Sequence, residues 1–205
     1  MRYLTSALYA VALIGISTLS WAEDYDAGHD AFSVGDYETA HAIWQPLADA
    51  GDADSQFGMG MLYANGFGVA MDDTLALTYY TKAAEQGHGQ ALCNLGTMHA
   101  NGWGVPQSDD EAFKFYAQAA ELGITEAQSN LSSMYARGYG TEQDMVKAHM
   151  WISIAAGLNH SGAEYKLGQL AEDMTPEQIA EGATLATAWL DAHPEIVAAC
   201  LAPEE

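Results

Sequence analysis

The sequence predicts an all-α protein, an α/α right-handed superhelix (solenoid) of stacked helix pairs, and three observations predict it. A segment recurs as Leu62-Tyr63-Ala64-Asn65-Gly66-Phe67-Gly68-Val69, Met98-His99-Ala100-Asn101-Gly102-Trp103-Gly104-Val105 and Met134-Tyr135-Ala136-Arg137-Gly138-Tyr139-Gly140-Thr141, each copy 36 residues after the last. Small and large residues keep the same interval at helical spacing: Ala40, Ala76, Ala112 and Ala148, then Ile43, Tyr79, Phe115 and Trp151, then Ala83-Ala84, Ala119-Ala120 and Ala155-Ala156. Helix start and stop residues recur too, with Asp36, Asp72, Ser108 and Asp144 in one column and Gly51, Gly87, Gly123 and Asn159 in another. A period of this length marks an array in which each unit buries its apolar stripe against its neighbours.

From the N-terminus, Met1-Arg2, the apolar run Leu4 to Leu19 and the small-x-small site Ser20-Trp21-Ala22 read as a secretory signal peptide, residues 1–22, cleaved after Ala22. The run is shorter than the roughly 20 residues that span a bilayer. The repeat array takes residues 23–193. Residues 23–52 form a capping pair, helices from Tyr25 to Phe32 and from Tyr37 to Asp49 about a Gly35-Asp36 turn. Full repeats follow at 53–88, 89–124 and 125–160. In each, a first helix carries a large residue next to a tiny one, Met59-Gly60, Leu95-Gly96 and Leu131-Ser132, and ends at the Gly-x-Gly loop. The second helix starts on the Asp or Ser cap, and Ser108 with Glu111 reads as a capping box. A C-terminal capping pair takes 161–193. There Thr175, Pro176 and Gln178 begin the last helix, Pro176 to Ala192, whose apolar stripe reads as Leu185, Ala188 and Trp189. Residues 194–205 are a tail that is loose or packs into a groove.

The pattern Ala-x-x-x-Leu-Gly-x-Met-Tyr-x-x-Gly-x-Gly-Val, an Asp, then Ala, an aromatic pair and Ala-Ala-x-x-Gly resembles the Sel1-like repeat, a relative of the tetratricopeptide repeat. The resemblance covers roughly residues 25 to 190. It implies adaptors that bind proteins in signalling, secretion and host contact. It also implies an alternative, because one cysteine-rich branch is associated with penicillin binding or β-lactamase activity. That branch carries a cysteine pair in each repeat, whereas Cys93 is the only cysteine within these repeats.

Composition narrows the partners. Lys+Arg number 6 against 28 Asp+Glu, a net charge of −22. Loss of Arg2 with the signal would make it one unit more negative. So acidic a chain is unsuited to nucleic acid and to anionic lipid, which need a basic footprint. It suits a protein or peptide partner, a basic one where the acidity selects partners rather than serving solubility alone. The expected state is a soluble periplasmic or secreted protein without stable membrane insertion after cleavage, a monomer or weakly self-associating; a scaffold assembling through its end faces is a third class.

Residue patterns for catalysis are lacking: no Gly-x-Ser-x-Gly elbow, Ser-x-x-Lys, phosphate loop or dinucleotide fingerprint occurs. No cofactor and no metal is expected. His88 and His160 are turn residues in one column, His99 stands in for a tyrosine as a packed aromatic, and Asp49 to Asp54 is a turn without the calcium-loop order. Cys93 and Cys200 lie 107 residues apart, which favours free or intermolecular thiols over a bridge between them.

In the related tetratricopeptide architecture the first helices line the concave face. Here that places Asp54, Phe57, Gly58 and Met61 from one unit beside Gln90, Cys93, Asn94 and Thr97 from the next. Glu126, Ser129, Asn130 and Ser133 follow, then Tyr165, Lys166 and Gln169. The candidate partner-binding set is Asp54, Phe57, Met61, Gln90, Asn94, Thr97, Glu126, Asn130, Ser133, Tyr165 and Gln169. Its polar, mostly uncharged character suits an extended peptide or a helix. Phe57 and Tyr165 read equally as ligand anchors and as neighbour-facing core.

Overall fold

The computed structural model describes residues 18–202, with side chains from Tyr25 onward. Residues 1–17, which carry most of the expected export signal, lie outside the described residues. Among the described residues all regular structure is helical. A first pair, α1 (Thr18–Ser33) and α2 (Tyr37–Ala50), is followed by α3 (Ala53–Asn65) and α4 (Asp73–Glu85). Next come α5 (Gly89–Asn101) with α6 (Asp109–Glu121) and α7 (Thr125–Arg137) with α8 (Met145–Gly157). The chain ends in α9 (Ala163–Ala171), α10 (Pro176–Ala192) and α11 (Pro194–Leu201). In the first four pairs each first helix packs most closely on its own second helix, and each second helix then packs on the next first helix, whereas α9 and α10 both pack on α8. The result is a solenoid. None of these helices is long and apolar enough to cross a membrane.

The repeated caps do what their chemistry allows. Asp36, Asp72, Ser108 and Asp144 each accept a backbone N–H of the first turn of α2, α4, α6 and α8, from Thr39, Thr74 and Leu75, Glu111, and Lys147. The expected box at Ser108 is only half formed: the Glu111 carboxylate turns to the Lys114 ammonium, 2.6 Å away, rather than back to the Ser108 backbone. Thr175 and Gln178 do close theirs at α10. In the Gly-x-Gly loops the second glycine is required twice over. Gly104 has φ +69°, and a Cβ there would sit 2.7 Å from the Asp73 carbonyl oxygen.

The tiny residue beside the large one in each first helix has a specific partner. A Cβ on Gly60 would lie 2.5 Å from the Tyr80 ring, and one on Gly96 would lie 2.7 Å from the Tyr116 ring, so both phenols lie flat on helix backbone. One unit later the pair becomes Ser132 and Ile152, and the Ser132 hydroxyl donates to the Ala148 carbonyl at 2.7 Å. A smaller side chain on the second helix leaves room for the serine.

Both ends are sealed by aromatics. Trp44 on α2 is fully buried, stacks on Tyr25 at 5.7 Å and donates its indole N–H to the Tyr25 carbonyl at 3.2 Å. At the other end α10 lies on α8 through Gly182, Ala186 and Trp189. This corrects the expected stripe: Ala188 is exposed and Leu185 is 40 % exposed, because α10 is rotated so that Gly182 can approach the His149 ring. Trp189 stacks on His193 at 4.1 Å and donates to Glu121 at 2.9 Å, tying the cap back to α6. The tail is helical rather than loose as far as Leu201, with Ile196 packed over Gly123.

Candidate functional site

Three cavities lie in a row along the first helices, and their linings are related by the repeat. The first, about 350 Å³, lies between α3 and α5 and is lined by Asp73, Tyr80, Asn94, Thr97 and Trp103. The second, about 540 Å³, is its translate 36 residues on, with Asp109, Tyr116, Asn130, Ser133 and Tyr139 in the same columns. The third, about 250 Å³, lies between α7 and α9 with Ser132, Ser133, Arg137, Lys166 and Gln169. The Gly-x-Gly loop positions each aromatic. Its left-handed first glycine ends the first helix, and its second glycine presses onto the start of the preceding second helix, leaving Trp103 50 % and Tyr139 48 % exposed at the rims.

The floors of the first two cavities are phenolic and uncharged. Burial pushes the Tyr80 hydroxyl up to about 12, with the Asn94 amide pulling it back slightly. Burial likewise raises Tyr116 to about 12, against the hydrogen bond it shares with the Thr97 hydroxyl at 2.9 Å. Both remain neutral hydrogen-bonding groups at any physiological pH. The charged residues lie at the rims: Asp73 in the first cavity, Asp109 and Arg137 in the second, Arg137 and Lys166 in the third. Such a row can hold a chain of side chains by shape, apolar contact and a few hydrogen bonds.

The structure brings together Asn94 with Thr97, Asn130 with Ser133, and Ser133 with Gln169, one set per cavity. It places the other expected residues elsewhere. Gln90 and Glu126 lie at the opposite ends of their helices, their side chains 3.4 Å apart, in a separate hollow of about 440 Å³ beside Cys200. Asp54 is exposed and faces the His88 imidazole at 3.3 Å. Phe57 is a packing residue: it stacks on His88 at 4.5 Å and leans on Tyr80 at 5.8 Å. Met61 packs against the same cluster. Tyr165 shares the column of Phe57, Cys93 and Ser129, which faces the next unit; with no further unit it is 71 % exposed on the end face and accepts a hydrogen bond from Gln169 at 3.0 Å.

Sequence reasoning missed Tyr80, Tyr116, Trp103, Tyr139 and Arg137. The loop column Phe67, Trp103, Tyr139 was a visible signal, an aromatic kept where a helix stop needs none. The phenols were harder to find, because a tyrosine pressed on glycine is indistinguishable in sequence from pure core. The other reactive groups are quiet. Cys93 and Cys200 are unbridged, Cys93 is buried, and burial raises its thiol to about 12. His88 accepts the Ala91 N–H as the cap of α5, and burial lowers its pKa despite Asp54. His99 stacks on Phe115 at 5.3 Å. Among the described residues no group of three or more His, Cys, Asp or Glu could hold a metal ion.

The family model of the Sel1 repeat matches three consecutive segments, residues 53–88, 89–124 and 125–160. The chain belongs to the Sel1 repeat family. Sel1 repeat proteins are in general protein-interaction scaffolds, typically without catalysis. Among solved structures, this Sel1 repeat protein is similar to one from Oxalobacter formigenes, with 34% identity over 62% of this chain and 95% of that one and a TM-score of 0.57. It also shares its fold with a protective antigen of uropathogenic Escherichia coli displaying an SLR fold, at 23% identity and a TM-score of 0.54. That match covers 90% of this chain and spans about half, 49%, of the antigen. No curated protein matches the chain.

Proposed function

We propose that this Sel1 repeat protein is an exported adaptor that binds an extended peptide or protein segment along its first helices, with side chains of the ligand seated in the three cavities. The observation that carries the reading is the spacing of the cavities: a pocket lined by the same first-helix columns recurs at each unit from α3 onward, with a tyrosine floor and a loop aromatic in the first two. A small molecule needs one enclosed site, whereas a repeated row of open ones fits a repeating polymer backbone. Adjacent helix axes lie about 8–10 Å apart, and an extended peptide advances about 3.3 Å per residue. Neighbouring cavities therefore fit side chains a few residues apart.

The chemistry of the first cavity fits a basic or aromatic-seeking side chain. Trp103 offers an exposed ring and Asp73 a carboxylate, the combination that holds a cation by its face and its charge. The net charge of −22 favours approach of such partners at low salt. A binding role rather than a catalytic one is supported by the buried, protonated Cys93 thiol and by the engagement of His88 in a helix cap. Export to the periplasm or beyond rests on residues 1–22 of the sequence.

Site-specific photo-crosslinking in the cell of origin tests the reading, with the reactive group at Asn94 and Asn130 and, as control, at exposed Lys114 on α6. The expected result is a discrete crosslinked partner from the two cavity positions and none from Lys114. Equal labelling from all three, or none from a folded and exported protein, would overturn it.

A further inference from the structure

We infer that the third cavity is a receptor for the C-terminal carboxylate of the bound peptide, which fixes the direction in which the ligand lies; this rests on the peptide-binding reading above. The chain has only six Lys and Arg against 28 acids. Among the described residues Lys114 and Lys147 each face a carboxylate, at 2.6 and 3.5 Å. Lys82 lies over the Tyr79 ring at 5.4 Å. Arg137 and Lys166 are different: neither has a carboxylate within 4.0 Å, and both line the same cavity. Two unneutralised cations in one hollow of so acidic a protein form a local positive island.

The repeat columns make the placement pointed. Arg137 stands where the earlier units have Asn65 and Asn101, whose side chains simply cap their own helix carbonyls at 2.9 and 2.8 Å. Lys166 stands where the earlier units have Asn94 and Asn130. Both amide columns change to cations at the same junction. A cation at the end of α7 answers the helix dipole, but that role is equally served by an arginine pointing into solvent. In the rest of the lining the Ser132 and Ser133 hydroxyls already donate to the Ala148 and Ser129 carbonyls, so the Gln169 amide is the neutral donor, and Lys166 itself donates to the Ser129 hydroxyl at 2.7 Å. Arg and Lys together with an amide group form a carboxylate-binding set.

A terminal carboxylate fits better than an acidic side chain because the row stops here. The first helices α3, α5 and α7 have 13 residues and end in a Gly-x-Gly loop, whereas α9 has nine and runs into Met174-Thr175-Pro176. A ligand threading the cavities from Trp103 toward α9 meets no further first helix, because α9 ends at Ala171 and α10 packs on α8. Charge agrees along the same path, from Asp73 alone, through Asp109 with Arg137, to Arg137 with Lys166. The occupant is thus a peptide that is neutral or basic along its body and ends in a free carboxylate.

The test selects heptapeptides with free C termini from a random pool on the full chain, resynthesises the enriched ones as acids and as C-terminal amides with an N-terminal fluorophore, and measures anisotropy. Amidation is expected to weaken binding about tenfold, the scale of a charge-assisted pair of hydrogen bonds. Arg137→Asn and Lys166→Asn restore the residues of the preceding units, so the fold is retained, checked by thermal melting. Each should weaken the acid about fivefold and the amide by less, so that the acid-to-amide ratio falls. Equal binding of acid and amide, or an acid-to-amide ratio untouched by both variants, would overturn the inference while leaving the peptide scaffold standing. So would peptides whose binding follows an internal Asp or Glu instead of the terminus. Failure to enrich any peptide would remove the scaffold reading and this inference together.

Discussion

The junction between the capping pair and the first repeat and the junction between the first and second repeats use the same columns in opposite ways. At the former these columns hold Tyr37, Trp44, Gly58, Met61 and Phe67, and the three rings fill the space: Tyr37 stacks on Phe67 at 4.5 Å, and fully buried Trp44 occupies the hollow that a side chain at Gly58 would need. At the latter the same positions are Asp73, Tyr80, Asn94, Thr97 and Trp103, and a cavity of about 350 Å³ remains. Replacing an aromatic by an aspartate removes the lid from the loop aromatic, and replacing Trp by Tyr beside Asn94 makes the floor polar. One backbone plan thus gives a sealed end cap or an open pocket, depending on five residues.

The largest effect should come from breaking the sealed junction. Trp44→Ala is expected to cost about 3–5 kcal/mol in chemical denaturation, the range for deleting a buried aromatic; a loss below about 1 kcal/mol would mean that the cap does not hold the stack. Next in size is the close approach at the open junctions. Gly96→Ala places a Cβ 2.7 Å from the Tyr116 ring and should cost about 1–3 kcal/mol. The double change Gly96→Ser with Tyr116→Ile copies the Ser132 and Ile152 pair one unit later and should recover part of that loss. Tyr37→Asp imitates the open junction and should cost about 0.5–1.5 kcal/mol, the worth of an aromatic pair, while exposing Phe67 to quenchers.

The smallest effect distinguishes the same two units by pH. Asp52 caps α3 and His88, in the same column, caps α5. Burial lowers the His88 pKa in the folded protein, with Asp54 pulling the other way, so the fold favours the neutral ring. Its contribution is complete above the unfolded value of 6.5 and is lost as pH falls through the lower folded value. Protonation also removes the Nδ1 acceptor that Ala91 uses. Wild type should therefore lose about 1 kcal/mol, the worth of a cap, relative to His88→Asp as the pH is taken from 7.5 to 4.5. Parallel stability curves for the two would contradict this assignment.

How much of this was legible in sequence follows from what periodicity can encode. Columns report which face of a helix meets a neighbour, so the caps at Asp36, Asp72, Ser108 and Asp144, the glycine stops and the pairing of helices were readable. They do not report how far a side chain fills the space it faces. Phe57 and Tyr165 share a column, yet one is packed between rings and the other stands on an end face, because only the first has a following unit. Asn94, Thr97, Asn130 and Ser133 were identifiable as polar groups on the first helices. Their cavities were not, since each is closed by residues of a preceding second helix and a loop that are distant in sequence from the helix that lines it. The direction in which Leu185 points was lost for a related reason: α10 departs from the repeat, and no column fixes its rotation.

The central claim is that an open junction is a ligand seat and a sealed one is not. Its most direct test transfers the sealed set into the first cavity, with Asp73→Tyr, Asn94→Gly and Thr97→Met, and measures binding of the selected peptides by anisotropy beside a thermal melt. The account predicts an unchanged or raised melting temperature together with at least a tenfold loss of affinity, on the order of one buried anchor side chain. Undiminished affinity in a variant that melts like the wild type would contradict it.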